Sequence, residues 1–181
     1  MYPIHNAWFD FWRNAWSQTV RHSYESFRQL AGNSAYDELP QHYRSQQIVV
    51  PLSSIKVGDE ATATVKIEKW MLLYFAASSG DWNPAHMHKD GAPPFNEPIA
   101  HGELTCSFIS ALYANQLPGP GSIFVSNAHE FKRPVKIGDE ITGTVRVTAI
   151  DYEAGKITLV SHAMNQHGKT VIEGRAVLMR K

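Results

Sequence analysis

The chain has 181 residues, 17 basic and 17 acidic side chains, a formal net charge of zero, 43% hydrophobic residues and 19% charged ones. That size fits one ordinary domain with a substantial appendage, the mix is globular rather than disordered, and the balanced charge leaves no electrostatic footprint for nucleic acid. No stretch approaches the roughly 20 consecutive apolar residues of a membrane-spanning helix. The single cysteine, Cys106, rules out an internal disulfide and suits a reducing cytosol.

The first 46 residues read as a unit of their own. Trp8, Trp12, Trp16 and Val20 recur every four residues, and Phe9 and Phe11 crowd beside them. Residues 6–30 are therefore expected to form an aromatic amphipathic helix, stopped at Gly32-Asn33-Ser34 and followed by a polar linker to residue 46. Asp10 and Arg13 interrupt the apolar run, so the segment does not read as a signal peptide. The stripe fits packing against its own domain or across a dimer. It fits equally well adsorption to a lipid, polymer or protein surface.

From residue 47 the pattern is mostly β. Ala61, Ala63, Val65 and Ile67 alternate with polar residues, as do Ile141, Gly143, Val145 and Val147. Period two predicts strands with one buried face. Further strands are expected over 122–132, 156–166 and 170–180, with a hairpin turn at Gln166-His167-Gly168-Lys169. IKVGDEATATVKI at 55–67 matches VKIGDEITGTVRV at 135–147 at seven of thirteen positions. Each copy opens a strand from a Lys-x-Gly-Asp-Glu turn, which predicts two similarly built strand starts within one sheet.

Two segments break the β pattern. Residues 70–77 are Leu/Ala-rich and continuous, and predict a short helix closed near Gly80. HGELTCSFISALYANQ at 101–116 is apolar around most of its circumference, which predicts a buried helix ended by Leu117-Pro118-Gly119. An α+β fold follows, an antiparallel sheet wrapped around one buried helix. Cys106 on that helix reads as an inert buried thiol.

Chemistry concentrates between the two helices. Ser79-Gly80-Asp81-Trp82-Asn83-Pro84-Ala85-His86 is a tight loop carrying a carboxylate and an imidazole five residues apart. Such a pair can hold a water and move protons, although Asp and His also serve as ordinary turn-capping and surface residues. Gly102 opens the buried helix, where unpaired N–H groups and the positive dipole end meet. A ligand oxygen can approach its N–H closely, and glycine also suits close helix–sheet packing. His86 and His88 are spaced for a metal, but neither an HExxH nor a CxxC motif occurs, so no metal is expected. Lys132 and Arg133 fit CoA phosphate contacts or ordinary surface charge.

SSGDWNPAH, PIAHG, LPGPGSIFVS and FKRPVKIGDEITGTVRV stand in the order and spacing found in MaoC-like, (R)-specific enoyl-CoA hydratases. The chain resembles that family over about residues 47–181. The resemblance implies a hot-dog fold, a homodimer, and syn hydration of trans-2-enoyl-CoA to (R)-3-hydroxyacyl-CoA with no cofactor beyond the CoA of the substrate. Asp81 and His86 match the catalytic pair, with the acid and base roles undivided. Gly102 matches the backbone donor to the thioester oxygen. Ser110 matches a serine that supports the catalytic aspartate, and Asn83 shapes the loop. The chain departs from the pattern at Ala85, where a branched aliphatic residue is usual, and at Glu103, where an apolar residue is usual and a charge beside Asp81 would repel it. A thioesterase on the same fold is one alternative, and a non-catalytic acyl-CoA-binding or granule-surface-binding protein is another. Because (R)-3-hydroxyacyl-CoA feeds polyhydroxyalkanoate synthesis, residues 6–30 are also candidates for holding a cytoplasmic enzyme on polymer granules.

Overall fold

The computed structural model describes residues 50–180. The expected aromatic helix over 6–30 and the linker over 32–46 lie outside the described residues. A single 3-10 turn, Leu52–Ser54, precedes strand β1, Glu60–Lys66. Helix α1, Lys69–Ser79, and the short helix α2, Pro84–Met87, come next, then the long helix α3, Gly102–Asn115. Four strands complete the fold: β2 at Ile123–Phe131, β3 at Glu140–Asp151, β4 at Lys156–Met164 and β5 at Thr170–Met179.

The five strands form one antiparallel sheet in the order β1-β3-β4-β5-β2. Alternation decides which face is inside. On β4, Ile157, Leu159, Ser161 and Ala163 are buried while the residues between them are not. On β3 the buried set is Ile141, Gly143, Val145 and Val147. These faces receive Leu104, Ile109, Leu112 and Tyr113 of α3 in one continuous core. Each large aliphatic side chain so buried contributes roughly 1.5–3 kcal/mol. The result is the hot-dog arrangement, a curled antiparallel sheet around a central helix.

Two expectations need correction. Helix α3 is not enclosed all round: Ser107, Ala111, Ala114 and Asn115 are exposed. Alanine and serine read as apolar or neutral in a periodicity count, yet they cover too little area to demand burial. The loop around Asn83 also contains a helical turn, α2, which the Gly/Asn/Pro composition disguised. Asn83 caps it, its Oδ1 accepting the Ala85 N–H at 2.9 Å, and Pro84 follows at the first helical position.

The far end of the molecule is tied by Arg180. Its buried guanidinium donates to the carbonyls of Val50, Pro118, Gly119 and Pro120. It thereby joins the incoming chain, the end of α3 and the end of β5. The functional loop sits at the opposite end, where α1, α2 and the start of α3 converge.

Candidate active site

Helix α1 ends at Gly80, whose φ of 79° is left-handed and therefore suits glycine. The chain then turns through Asp81. The Asp81 N–H donates to Ser79 Oγ at 3.2 Å, and Asp81 Oδ1 accepts the Asn83 N–H at 3.2 Å. Asn83 thus works at both ends, fixing the aspartate through its backbone and starting α2 through its side chain. Helix α2 carries His86 back towards Asp81, with Nε2 4.0 Å from Asp81 Oδ2. The Asp81 side chain is 47% exposed and that of His86 is 14% exposed, so the pair lies at a cleft wall rather than in the core.

The tautomer of His86 follows from its neighbour. Nδ1 lies 2.8 Å from the Ile99 carbonyl, which can only accept, so Nδ1 carries the proton. Nε2 then presents a lone pair towards the Asp81 carboxylate. Two acceptors facing each other at 4.0 Å cannot bond directly while His86 is neutral. A water donating one hydrogen to each, with bonds of about 2.8 Å and its own bond angle, needs acceptors roughly 4.4 Å apart. The gap is close to that span, and it leaves the water's lone pairs free.

A cavity of about 320 Å³ opens beside His86, with Gly102, Phe131 and Ile172 also among its walls. Gly102 is the first residue of α3, so the helix itself offers its N–H no partner. A Cβ at Gly102 would lie 2.7 Å from Phe131 Cε1. Close packing is therefore real, but Phe131 is 53% exposed and can swing aside, and Gly102 also lines the cavity, where a residue without a side chain leaves the backbone approachable. Lys132 and Arg133 sit at the rim. Lys132 is engaged by Glu130 and Glu173, and Arg133 donates to the Thr170 carbonyl at 2.7 Å.

The remaining expected residues fall as follows. Ser110 lies eight residues beyond Gly102, about 12 Å along the helix axis, and no hydrogen bond joins it to Asp81 among the described residues. Glu103 is exposed, and its charge acts on Cys106 and His129. Burial pushes the Cys106 thiol up to about 12, with Glu103 adding to the effect, so the thiol is inert at neutral pH.

One residue was overlooked in the sequence. His101 precedes Gly102, is 1% exposed, and approaches the Asp81 carbonyl with Nε2 at 3.0 Å. Its ring stacks on that of His86 with centroids 4.0 Å apart. The signal available was a histidine placed directly before a helix-opening glycine, where a capping side chain would be usual. Asp81, His86 and His101 each offer a donor atom within 4.8 Å of the others, a set of the kind that binds divalent ions. His101 Nε2 is already committed to a carbonyl.

Residues 53–166 match the family model described as the MaoC like domain. The chain is similar to an (R)-specific enoyl-CoA hydratase of Rhodospirillum rubrum, 40% identical over 145 residues, 79% of this chain and 94% of that protein. It superposes on the (R)-hydratase of Aeromonas caviae involved in PHA biosynthesis with a TM-score of 0.68 and 36% identity, covering 71% of this chain and 98% of that one. It superposes equally well on an R-hydratase of Pseudomonas aeruginosa in its unliganded form, with a TM-score of 0.68, 37% identity, and coverage of 72% and 85%. With the helix-wrapped sheet and the loop geometry in hand, the chain belongs to the MaoC-like domain family.

Proposed function

We propose that the protein is an (R)-specific enoyl-CoA hydratase that adds water across trans-2-enoyl-CoA and, in reverse, dehydrates (R)-3-hydroxyacyl-CoA. The observation that carries this reading is the 4.0 Å gap between Asp81 Oδ2 and His86 Nε2, with His86 Nδ1 tied to the Ile99 carbonyl. A water seated in that gap attacks C3 with its oxygen. The proton it releases passes to the pair and from the pair to C2, so both groups arrive from one face of the double bond. The Asp81 and His86 groups share this work as one acid–base unit.

Charge develops on the thioester oxygen as C3 is attacked. In this reading the Gly102 N–H, at the positive end of α3, receives that charge, and the contact strengthens as the charge grows. Phe131 and Ile172 supply apolar wall for the acyl chain. The CoA is part of the substrate, and the chemistry needs only proton transfer and one oxyanion contact.

The assembly fits a homodimer. Strand β2 is a sheet edge, and Ile123, Phe124, Val125 and Phe131 on it are all at least 40% exposed. An exposed edge strand nine residues long, apolar at both ends, is a template for pairing with a second copy. Residues 1–46 form a separate module in this reading, and the aromatic stripe over 6–30 holds a cytoplasmic enzyme on polyhydroxyalkanoate granules. No helix among the described residues is long and apolar enough to cross a membrane.

Hydration of crotonyl-, octenoyl- and longer enoyl-CoAs, followed by loss of enoyl-thioester absorbance with chiral analysis of the product, tests the proposal. Turnover to the (R)-alcohol is expected. Asp81→Asn and His86→Ala are each expected to lower kcat by about 100- to 10,000-fold. A folded protein that hydrates none of these thioesters would refute the hydratase reading. For the granule reading, deletion of residues 1–46 should abolish co-sedimentation with granules and spare soluble activity. Sedimentation of the truncated protein would end that idea.

A further inference from the structure

We propose that His101 is a positioning residue of this site, which holds the Asp81 loop and the His86 ring in register with the Gly102 N–H through a proton fixed on its Nε2. The proposal rests on the hydratase reading and deepens it.

The argument begins with what His101 does not do. It is the N-cap residue of α3, with φ −57° and ψ 138°, yet its side chain caps nothing. Residues at this position usually spend their side chain on the first free N–H groups of the helix. Histidine here turns the other way and reaches across twenty residues of sequence to the Asp81 carbonyl, 3.0 Å from Nε2. A carbonyl oxygen only accepts, so Nε2 must donate.

The same ring meets His86 face to face, with centroids 4.0 Å apart and planes 30° from parallel. Phe75 of α1 packs on it at 4.9 Å. His101 therefore packs against both an aromatic ring of α1 and the His86 imidazole. Its own carbonyl accepts the Thr105 N–H at 3.2 Å, anchoring the residue to the first turn of α3. The peptide bond that leaves His101 carries the Gly102 N–H. One residue thus touches both members of the acid–base pair and is bonded to the oxyanion donor.

The protonation state has to suit this role. Burial holds the His101 imidazole below its ordinary value of 6.5, against the opposing pull of its bond to the Asp81 carbonyl and of the Asp81 charge, and the neighbouring His86 works in the same direction as burial. A neutral His101 can stack on His86 without charge repulsion whichever state His86 adopts in the cycle. Nδ1 is buried with no partner among the described residues, so the Asp81 carbonyl is the sole hydrogen bond of this ring there. The ring is held by that bond and by stacking, which makes it stiff in two directions at once.

The test compares wild type with His101→Phe and His101→Gln in the full chain. Phenylalanine keeps the stack and removes the donor, whereas glutamine restores an N–H without the ring. His101→Phe is expected to lower kcat on crotonyl-CoA by about 100-fold, the size of effect a small misplacement of reacting groups produces, with KM changed less than about threefold. His101→Gln is expected to recover several-fold of that loss. Wild-type kcat in His101→Phe, or a glutamine variant no faster than phenylalanine, overturns the proposal, because a residue that merely fills space favours phenylalanine. Independently of activity, ¹⁵N spectra of the histidine side chains should show His101 neutral with its proton on Nε2 at pH 7. A proton on Nδ1 instead, or an imidazolium, overturns it even if the variants fail to fold. Absence of hydration by wild type would sink the hydratase reading instead, and the tautomer measurement would still judge the geometry.

Discussion

Residues 55–67 and 135–147 carry nearly the same message and end in different places. Both turns form alike. Gly58 and Gly138 adopt φ of 97° and 96°, and the Asp59 and Asp139 carboxylates each accept a backbone N–H, from Lys56 and Lys136, at 2.8 Å. The strands they launch then pair with each other antiparallel, Ala61 opposite Val145 and Lys66 opposite Glu140. The exchange is reciprocal: Gly58 N–H donates to Val147 O, and Gly138 N–H donates to Ile67 O. The echo in the sequence is a local two-fold in the structure. Its copies differ in neighbours. Strand β1 is an edge with few buried positions, and β3 is an inner strand whose face is covered by α3. Only the second copy serves the site, because Val135 O accepts the Ala100 N–H at 2.7 Å just before His101 and Gly102. Like local chemistry yields like turns, and position in the sheet decides which turn matters for function.

That contrast can be broken at matched positions. Ala63 and Gly143 are directly paired, and a Cβ at Gly143 would lie 3.3 Å from Leu112 Cδ1. Gly143→Val should overpack the core and cost about 1–3 kcal/mol in urea unfolding, whereas Ala63→Val on the exposed edge should stay within about 0.5 kcal/mol. Equal effects would mean that β1 is as enclosed as β3. The next test uses the turns. Gly58→Ala and Gly138→Ala should each cost roughly 1 kcal/mol for a left-handed backbone, and only the second should lower kcat, since only the segment leading into its turn, at Val135, holds Ala100.

A pH experiment sharpens the same asymmetry, since His101 and His129 both lie away from the first copy. Burial holds both imidazoles below 6.5. The unfolded chain then binds more protons than the native one below that value, so stability is complete above pH 6.5 and falls as the pH drops beneath it. The melting temperature should decline from pH 6.5 downward, and His129→Gln should remove part of the decline. An unchanged slope would mean that His129 is not titrating between the two states. The smallest effect is expected at the Thr62–Thr144 pair, whose hydroxyls lie 3.0 Å apart across the two copies. Thr62→Val should shift stability by a few tenths of a kcal/mol.

Much of the molecule was legible in advance where short-range chemistry decides. Alternation at 61–67 and 141–148 found β1 and β3, and Leu117-Pro118-Gly119 marked the end of α3. The loop 79–86 was recognisable as a tightly shaped loop carrying a carboxylate and an imidazole, because glycine, asparagine and proline fix its shape locally. His101 was missed because its role depends on a carbonyl twenty residues away and on a ring from another helix, and no spacing rule reports a stack. The orientation of Glu103 was left open for the same reason. Its place in the first turn of α3 was plain, but the direction it faces is set by how α3 packs on β3 and β1. The exposed stripe of α3 escaped because alanine and serine carry little weight in any periodicity.

The sequence by itself determined the order of the strands and of α1 and α3, the turn chemistry and the presence of a carboxylate, an imidazole and a helix-opening glycine, since each follows from residues within a few positions of one another. Tertiary structure alone decided the 4.0 Å gap between Asp81 and His86, the tautomer imposed by Ile99 and the stack of His101 on His86. Those are distances between separate elements. They are set by how α1, α2 and α3 pack at one end of the sheet, and packing is a property of the whole core rather than of any segment of it.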